Sequence, residues 1–174
     1  MRGEMPKAIR LYVRYVDAVN KAVGRFSMYL VFVMGGILLY ESISRTLLNQ
    51  PHIWAVEVAQ FVMAAYYLLG GGYSMMIDGH VRMDLLYGRW SKRKQAIVDI
   101  ITGPVLLFYL GVLFFGAVSA THYAIAFDQK NYTPWGPRLW PIKVIMAFGI
   151  LLTLLEAISF LFKDIARARG EEIE

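Results

Sequence analysis

The chain contains no cysteine, which removes disulfides, thiolate metal sites, iron–sulfur clusters and the chemistry of a four-helix, quinone-linked thiol oxidase. Charge is also scarce. Asp, Glu, Lys and Arg make up 18% of the 174 residues, against 57% apolar and 14% aromatic residues. That balance is too hydrophobic for a small soluble domain and indicates an integral membrane protein. No phosphate-binding glycine loop, metal-spaced cluster or nucleophile–base arrangement is recognisable, so neither an enzyme nor a cofactor or metal site is expected. The first 25 residues carry charges and lack the short apolar run and small-residue cleavage site of a signal peptide. The first hydrophobic segment is therefore expected to stay in the mature protein.

The net charge of +5 and a pI near 9.5 raise the question of nucleic acid. The basic residues, however, sit between apolar blocks, as in membrane loops, and no nucleic-acid partner is expected. Four apolar stretches are long enough to cross a bilayer, at about 26–48, 53–77, 97–127 and 142–162. From Ile100 to Phe127 there is no charged residue, and Pro104 offers a point for a kink. Asn49-Gln50-Pro51-His52 makes a turn between the first two spans. Residues 128–141 form a polar loop whose Tyr132, Trp135 and Trp140 suit the membrane interface. The expected fold is an all-α integral membrane protein with four transmembrane helices, one membrane domain over residues 1–174.

Residues 1–25 alternate basic side chains with Leu11, Tyr12, Tyr15, Val16, Val19 and Val23 at roughly helical spacing. This fits an amphipathic helix on an anionic leaflet or a solvated leader. Residues 78–95 form an arm between spans two and three, in which Asp78 and Gly79 supply a cap and a bend. Lys and Arg number six in the N-terminal segment, five in the arm and three in the C-terminal tail, against four at the opposite ends of the spans. The positive-inside rule then puts both termini and the arm in the cytoplasm.

Acids inside apolar spans are functional candidates, because charge in hydrocarbon is costly unless paired or hydrated. Glu41 precedes Arg45 by four residues, so the two can neutralise each other on one helical face. Glu57 lies one turn after Trp54 at a similar depth, where the same arginine could serve it. Glu156 is seven residues before Lys163, hence about 10 Å above the inner boundary, and is expected to face a partner protein or a neighbouring helix. His52 and His122 can share a depth, which admits haem ligation and gives the alternative of a membrane anchor for a redox enzyme. Gly35-Gly36 and Gly70-Gly71-Gly72 permit close helix contact, within the chain or with a partner.

Trp54-Ala-Val-Glu57 opening a span, a glycine-rich end to it, then Gly79-His80-Val-Arg82-Met-Asp84-Leu85-Leu86 and a basic run resembles the small membrane subunit (DctQ type) of tripartite ATP-independent periplasmic transporters. The resemblance covers four spans and nearly the whole chain. Val56 stands where that family often has a first acid, and Glu57 keeps the second. The resemblance implies a bacterial-type inner membrane location and a scaffold role in ion-coupled symport of an organic acid. Its implied partners are a large membrane permease subunit, a periplasmic substrate-binding protein and membrane lipid. Glu41, Arg45, Trp54, Glu57, His80, Arg82, Asp84 and Glu156 are the residues expected to serve structure or subunit contact.

Overall fold

The computed structural model describes residues 7–77 and 92–169, and its regular structure there is helical: α1 (Lys7–Leu47), α2 (Ile53–Met76), α3 (Lys92–Ala126) and α4 (Trp140–Arg169). Each holds a stretch long and apolar enough to cross a membrane. Most of the expected arm, with His80, Arg82 and Asp84, lies outside the described residues, and only its basic end is seen, as the opening of α3.

At 1.5 Å per residue α1 is about 60 Å long, roughly twice the hydrocarbon core of about 30 Å. The segment expected ahead of the first span is helical from Lys7 and continues into that span without a break. Its inward face differs from the stripe read in the sequence. Val13, Val16, Asn20, Gly24 and Ser27 are buried, whereas Leu11 and Tyr15 are exposed.

The turns follow local chemistry. The carbonyl of Ser44 accepts from the amides of Leu48 and Gln50 at 3.1 and 3.2 Å, and Asn49 takes a left-handed φ of 52° before Pro51 ends the helix. Between α3 and α4 the chain folds back on itself. Asn131 N–H donates to Pro137 O and Leu139 N–H to Gln129 O, each at 2.9 Å, with Gly136 at φ 61° in the bend. Lys143 Nζ then donates to Gln129 Oε1 at 2.6 Å and Thr121 Oγ1 to Lys143 O at 3.0 Å, fastening the loop-side ends of α3 and α4, the outer ends in the topology expected from the charge asymmetry. Pro104 lies inside α3, which runs through it.

The four helices stand in one open row in the order α1, α2, α4, α3. Alongside its main contact with α2, α1 touches α4 through its N-terminal part, where Tyr12 Oη donates to Leu155 O at 3.1 Å. At the centre α2 and α4 run parallel, since Leu68 meets Gly149 and the next turn of each pairs Gly71 with Thr153. Parallel neighbours cannot be joined by a short turn, and residues 78–91 connect the end of α2 to α3 on the far side of α4.

Packing in the row is the reverse of a soluble core. Most buried apolar positions among the described residues are small, Ala55, Ala59, Ala65, Ala117, Ala124, Ala157 and Ala166, with Val13, Val16, Leu110 and Leu152 beside them, while Phe32 and Phe115 are 77% and 78% exposed. With lipid as solvent there is no gain in hiding large apolar groups, so small residues take the contacts and let backbones approach. Gly149 and Gly72 serve in this way: a Cβ on the first would overlap the Leu68 carbonyl and on the second Asn20 Oδ1. Gly35, Gly36 and Gly70 face open space, so the two glycine runs divide between internal packing and outer surface.

Gly149→Ala is therefore expected to destabilise the chain by about 1–3 kcal/mol through forced separation of α2 and α4. Gly116→Ala, whose Cβ meets nothing within 4 Å, is expected to be neutral or to stabilise by up to about 1 kcal/mol from helix propensity. Thermal unfolding of the purified chain in detergent, followed by circular dichroism, checks the pair; equal midpoints would refute the contact.

Candidate functional site

Polar side chains gather at the two ends of the row. At the outer end α1 supplies Glu41 and Arg45, one helical turn apart and thus on one face. Arg45 Nη2 and Nε donate to Glu41 Oε1 at 2.8 and 3.2 Å, as the spacing led us to expect. The other carboxylate oxygen accepts the backbone N–H of His52 at 3.0 Å. That amide opens α2 and has no partner inside its helix, so Glu41 caps α2 from a neighbouring element. Ser44 Oγ donates to Gln50 O at 3.1 Å and lies 3.3 Å from His52 Nδ1, closing the turn around the carboxylate. Tyr40 stacks on Trp54 with ring centroids 6.2 Å apart, and His52 sits between them at 5.3 and 6.0 Å.

Glu57 departs from the sequence expectation. No ion pair joins it to Arg45 among the described residues, and its Oε2 is buried without a hydrogen-bond partner there. His52 and His122 are not brought into one ligand pair either. His52 is held in the α1–α2 turn, while His122 lies exposed on α3, at the opposite edge of the row. The geometry thus gives the haem-anchor alternative no support.

At the inner end Glu156 faces a neighbouring helix, as one of the two expected environments required. Its side chain is fully buried, and Asn20 Nδ2 of α1 donates to its Oε2 at 2.8 Å. Lys163, two turns further along α4, reaches across to Asp17, with Nζ donating to the two carboxylate oxygens at 2.9 and 2.8 Å. Ser159 Oγ donates to Asp17 Oδ1 at 3.3 Å, and Lys163 Nζ is 3.8 Å from Glu156 Oε1. Asp17, Asn20, Ser159 and Lys163 were not singled out from the sequence as partners of Glu156. The available signal was the i, i+3 spacing of Asp17 and Asn20 beside Val13, Val16, Gly24 and Ser27, a small and polar stripe on a helix with larger apolar residues elsewhere.

Along the same turns of α4 as this cluster, between α2, α3 and α4, a cleft is lined by Met75, Asp99, Thr102, Gly103, Ala157 and Asp164. Arg167 Nη1 donates to Asp164 Oδ1 at 3.3 Å beside it. Among the described residues no group of three or more His, Asp or Glu is placed to hold a metal ion. The chemistry available here is cross-linking of helices by charge and hydrogen bonds.

Replacing Glu41 by Ala removes the acceptor for three donors on two elements. We expect a lower unfolding midpoint than wild type and faster amide exchange at residues 48–54, with the α3–α4 connection unaffected. Hydrogen exchange read by mass spectrometry checks this, and unchanged protection at the α1–α2 turn would count against the capping role.

No curated protein matches the chain. The family model described as tripartite ATP-independent periplasmic transporters, DctQ component, matches residues 33–167. That span takes in the outer carboxylate turn, the parallel α2–α4 contact and Glu156 with Lys163, and the chain belongs to the DctQ family, the small membrane components of tripartite ATP-independent periplasmic transporters.

Proposed function

We propose that this chain is the scaffold subunit of an ion-coupled importer of an organic acid, bracing a large membrane permease that receives the acid from a periplasmic binding protein. The family assignment supports the transporter component. The observation that carries the scaffold reading is the open row. Its four helices make one layer, its large apolar and aromatic side chains point outward, and its ionisable groups lie toward the two ends. A carrier for an anion gathers polar groups and broken helices at mid-depth around the substrate; here α2 and α4, the central pair, are continuous helices.

In this reading the chain is one multi-pass domain of the inner membrane, with both termini and the arm in the cytoplasm, as the Lys/Arg asymmetry suggests. Glu41 and Arg45 set the outer turn, while Trp54, partly exposed, is presented to the large subunit and Glu57 packs inside the chain behind that surface. His80, Arg82 and Asp84 add a cytoplasmic contact surface.

Two measurements test the proposal. In proteoliposomes the large subunit with this chain should take up substrate when the binding protein and an ion gradient are supplied, and this chain alone should not. Uptake by this chain alone would overturn the scaffold role, and haem absorbance in the purified chain would favour the redox-anchor alternative. For orientation, Tyr132→Cys should react with an impermeant thiol reagent added outside the cell, and Arg167→Cys should not; the reverse pattern would invert the topology.

A further inference from the structure

The inner cluster holds more negative charge than its one cation balances. Asp17 and Glu156 both approach Lys163 Nζ, but unequally: Asp17 binds it through both oxygens at 2.9 and 2.8 Å, while Glu156 comes no closer than 3.8 Å. Asp17 also accepts from Ser159 and is 29% exposed at its side chain, so its charge is met by two donors and some solvent. Glu156 is 0% exposed and has one neutral donor, the amide of Asn20. Its Oε1 and the Oδ1 of Asn20, itself 1% exposed, are both buried without a hydrogen-bond partner among the described residues.

The titratable side chains facing Glu156 are Asp17 and Tyr12 from α1 and Lys163 from α4. On the α2 side Gly72 lies against Asn20 and Leu152 and brings no ion. Asp164, further along α4, has Arg167 beside it. A buried carboxylate that lacks a cation of its own and stands near a second carboxylate is costly to ionise; of two acids sharing one ammonium, the less solvated one keeps its proton. A metal cation is a poor alternative. Hard cations need several oxygen ligands, the Lys163 ammonium already occupies the position between the carboxylates, and an atom added at Gly72 would overlap Asn20.

We propose that Asp17, Lys163 and Glu156 form a proton-binding site in which Glu156 carries a resident proton at neutral pH and the Asp17–Lys163 ion pair keeps it there. The proton makes the contact between the N-terminal part of α1 and the inner half of α4 electrically neutral. Its loss would place a second negative charge inside that contact. This inference does not depend on which substrate is carried or on whether the chain is a scaffold.

The test is infrared spectroscopy of the full-length chain, with carbon-13 in the glutamate carboxyls, in lipid at neutral pH. A labelled carbonyl stretch of a protonated carboxylic acid should be present. It should be lost in Glu156→Gln and retained in Glu57→Gln, the control for the other buried glutamate. In Asp17→Asn, Lys163 becomes free to pair with Glu156, and the band should disappear at neutral pH and return only on acidification. Absence of the band in the wild-type chain overturns the proposal, whatever the fate of the variants. So does a band that survives Glu156→Gln, or one that stays unchanged at neutral pH in folded Asp17→Asn.

Discussion

The structure depends on the close parallel approach of α2 and α4. In lipid, large apolar groups gain nothing by turning inward, so helices associate through van der Waals contact between small residues and through interhelical hydrogen bonds. Gly149 against the Leu68 carbonyl and Gly71 against Thr153 supply that contact at the centre of the row. Once these two helices lie side by side, the remaining arrangement follows. The five-residue link between α1 and α2 keeps α1 antiparallel on one flank, and the hairpin loop before α4 keeps α3 antiparallel on the other. The long link from α2 to α3 is needed because α4 occupies the place between them.

Charge is used where the row would otherwise come apart. Both edge helices are held by contacts with one neighbour over most of their length, and edge contacts built on alanine and glycine are shallow. At the outer end Glu41 ties α1 to the first amide of α2. Toward the inner end Asp17 and Asn20 tie α1 to α4. Glu156 is about 24 Å from the start of α4, and Gly72 beside Asn20 about 28 Å from the start of α2, at 1.5 Å per residue. These lengths bring the inner cluster close to the inner edge of a core about 30 Å thick. Removing one partner of such a buried pair leaves the other uncompensated, which makes these positions more sensitive than their number suggests.

Much of the fold was legible in the sequence because span length and charge scarcity are local properties. The spans, the Asn49–His52 turn and the Glu41–Arg45 pair were all read from spacings of a few residues. What was not legible depends on non-local geometry or on the solvent. The stripe from Leu11 to Val23 is read from apolar side chains alone; in the structure Val16 is buried but Leu11 and Tyr15 are exposed, and the buried face runs through Val13, Val16, Asn20, Gly24 and Ser27, where small and polar groups meet α2 and α4. The α1 partner of Glu156, Asn20, stands 136 residues away; the small and polar stripe of α1 marks a contact face but does not say which helix meets it. A shared depth allows Arg45 to serve Glu57 as well as Glu41, but depth alone does not fix the direction in which a side chain leaves its helix.

A single layer of helices has a mechanical consequence that a bundle lacks. In a bundle each helix is braced by two or more neighbours along its whole length; in this row only the N-terminal part of α1 has a second neighbour, and beyond it bending about the contact with α2 separates only small buried side chains. The cross-links at the two levels therefore set how stiff α1 is relative to α2 and α4. Near its middle, Gly35 and Gly36 have open space around them, and from residue 28 to residue 40 no side chain of α1 is fully buried. The helix is thus clamped toward both ends and packed only shallowly between them, and its flank is the part of the row whose shape is most readily set by whatever protein or lipid lies against it.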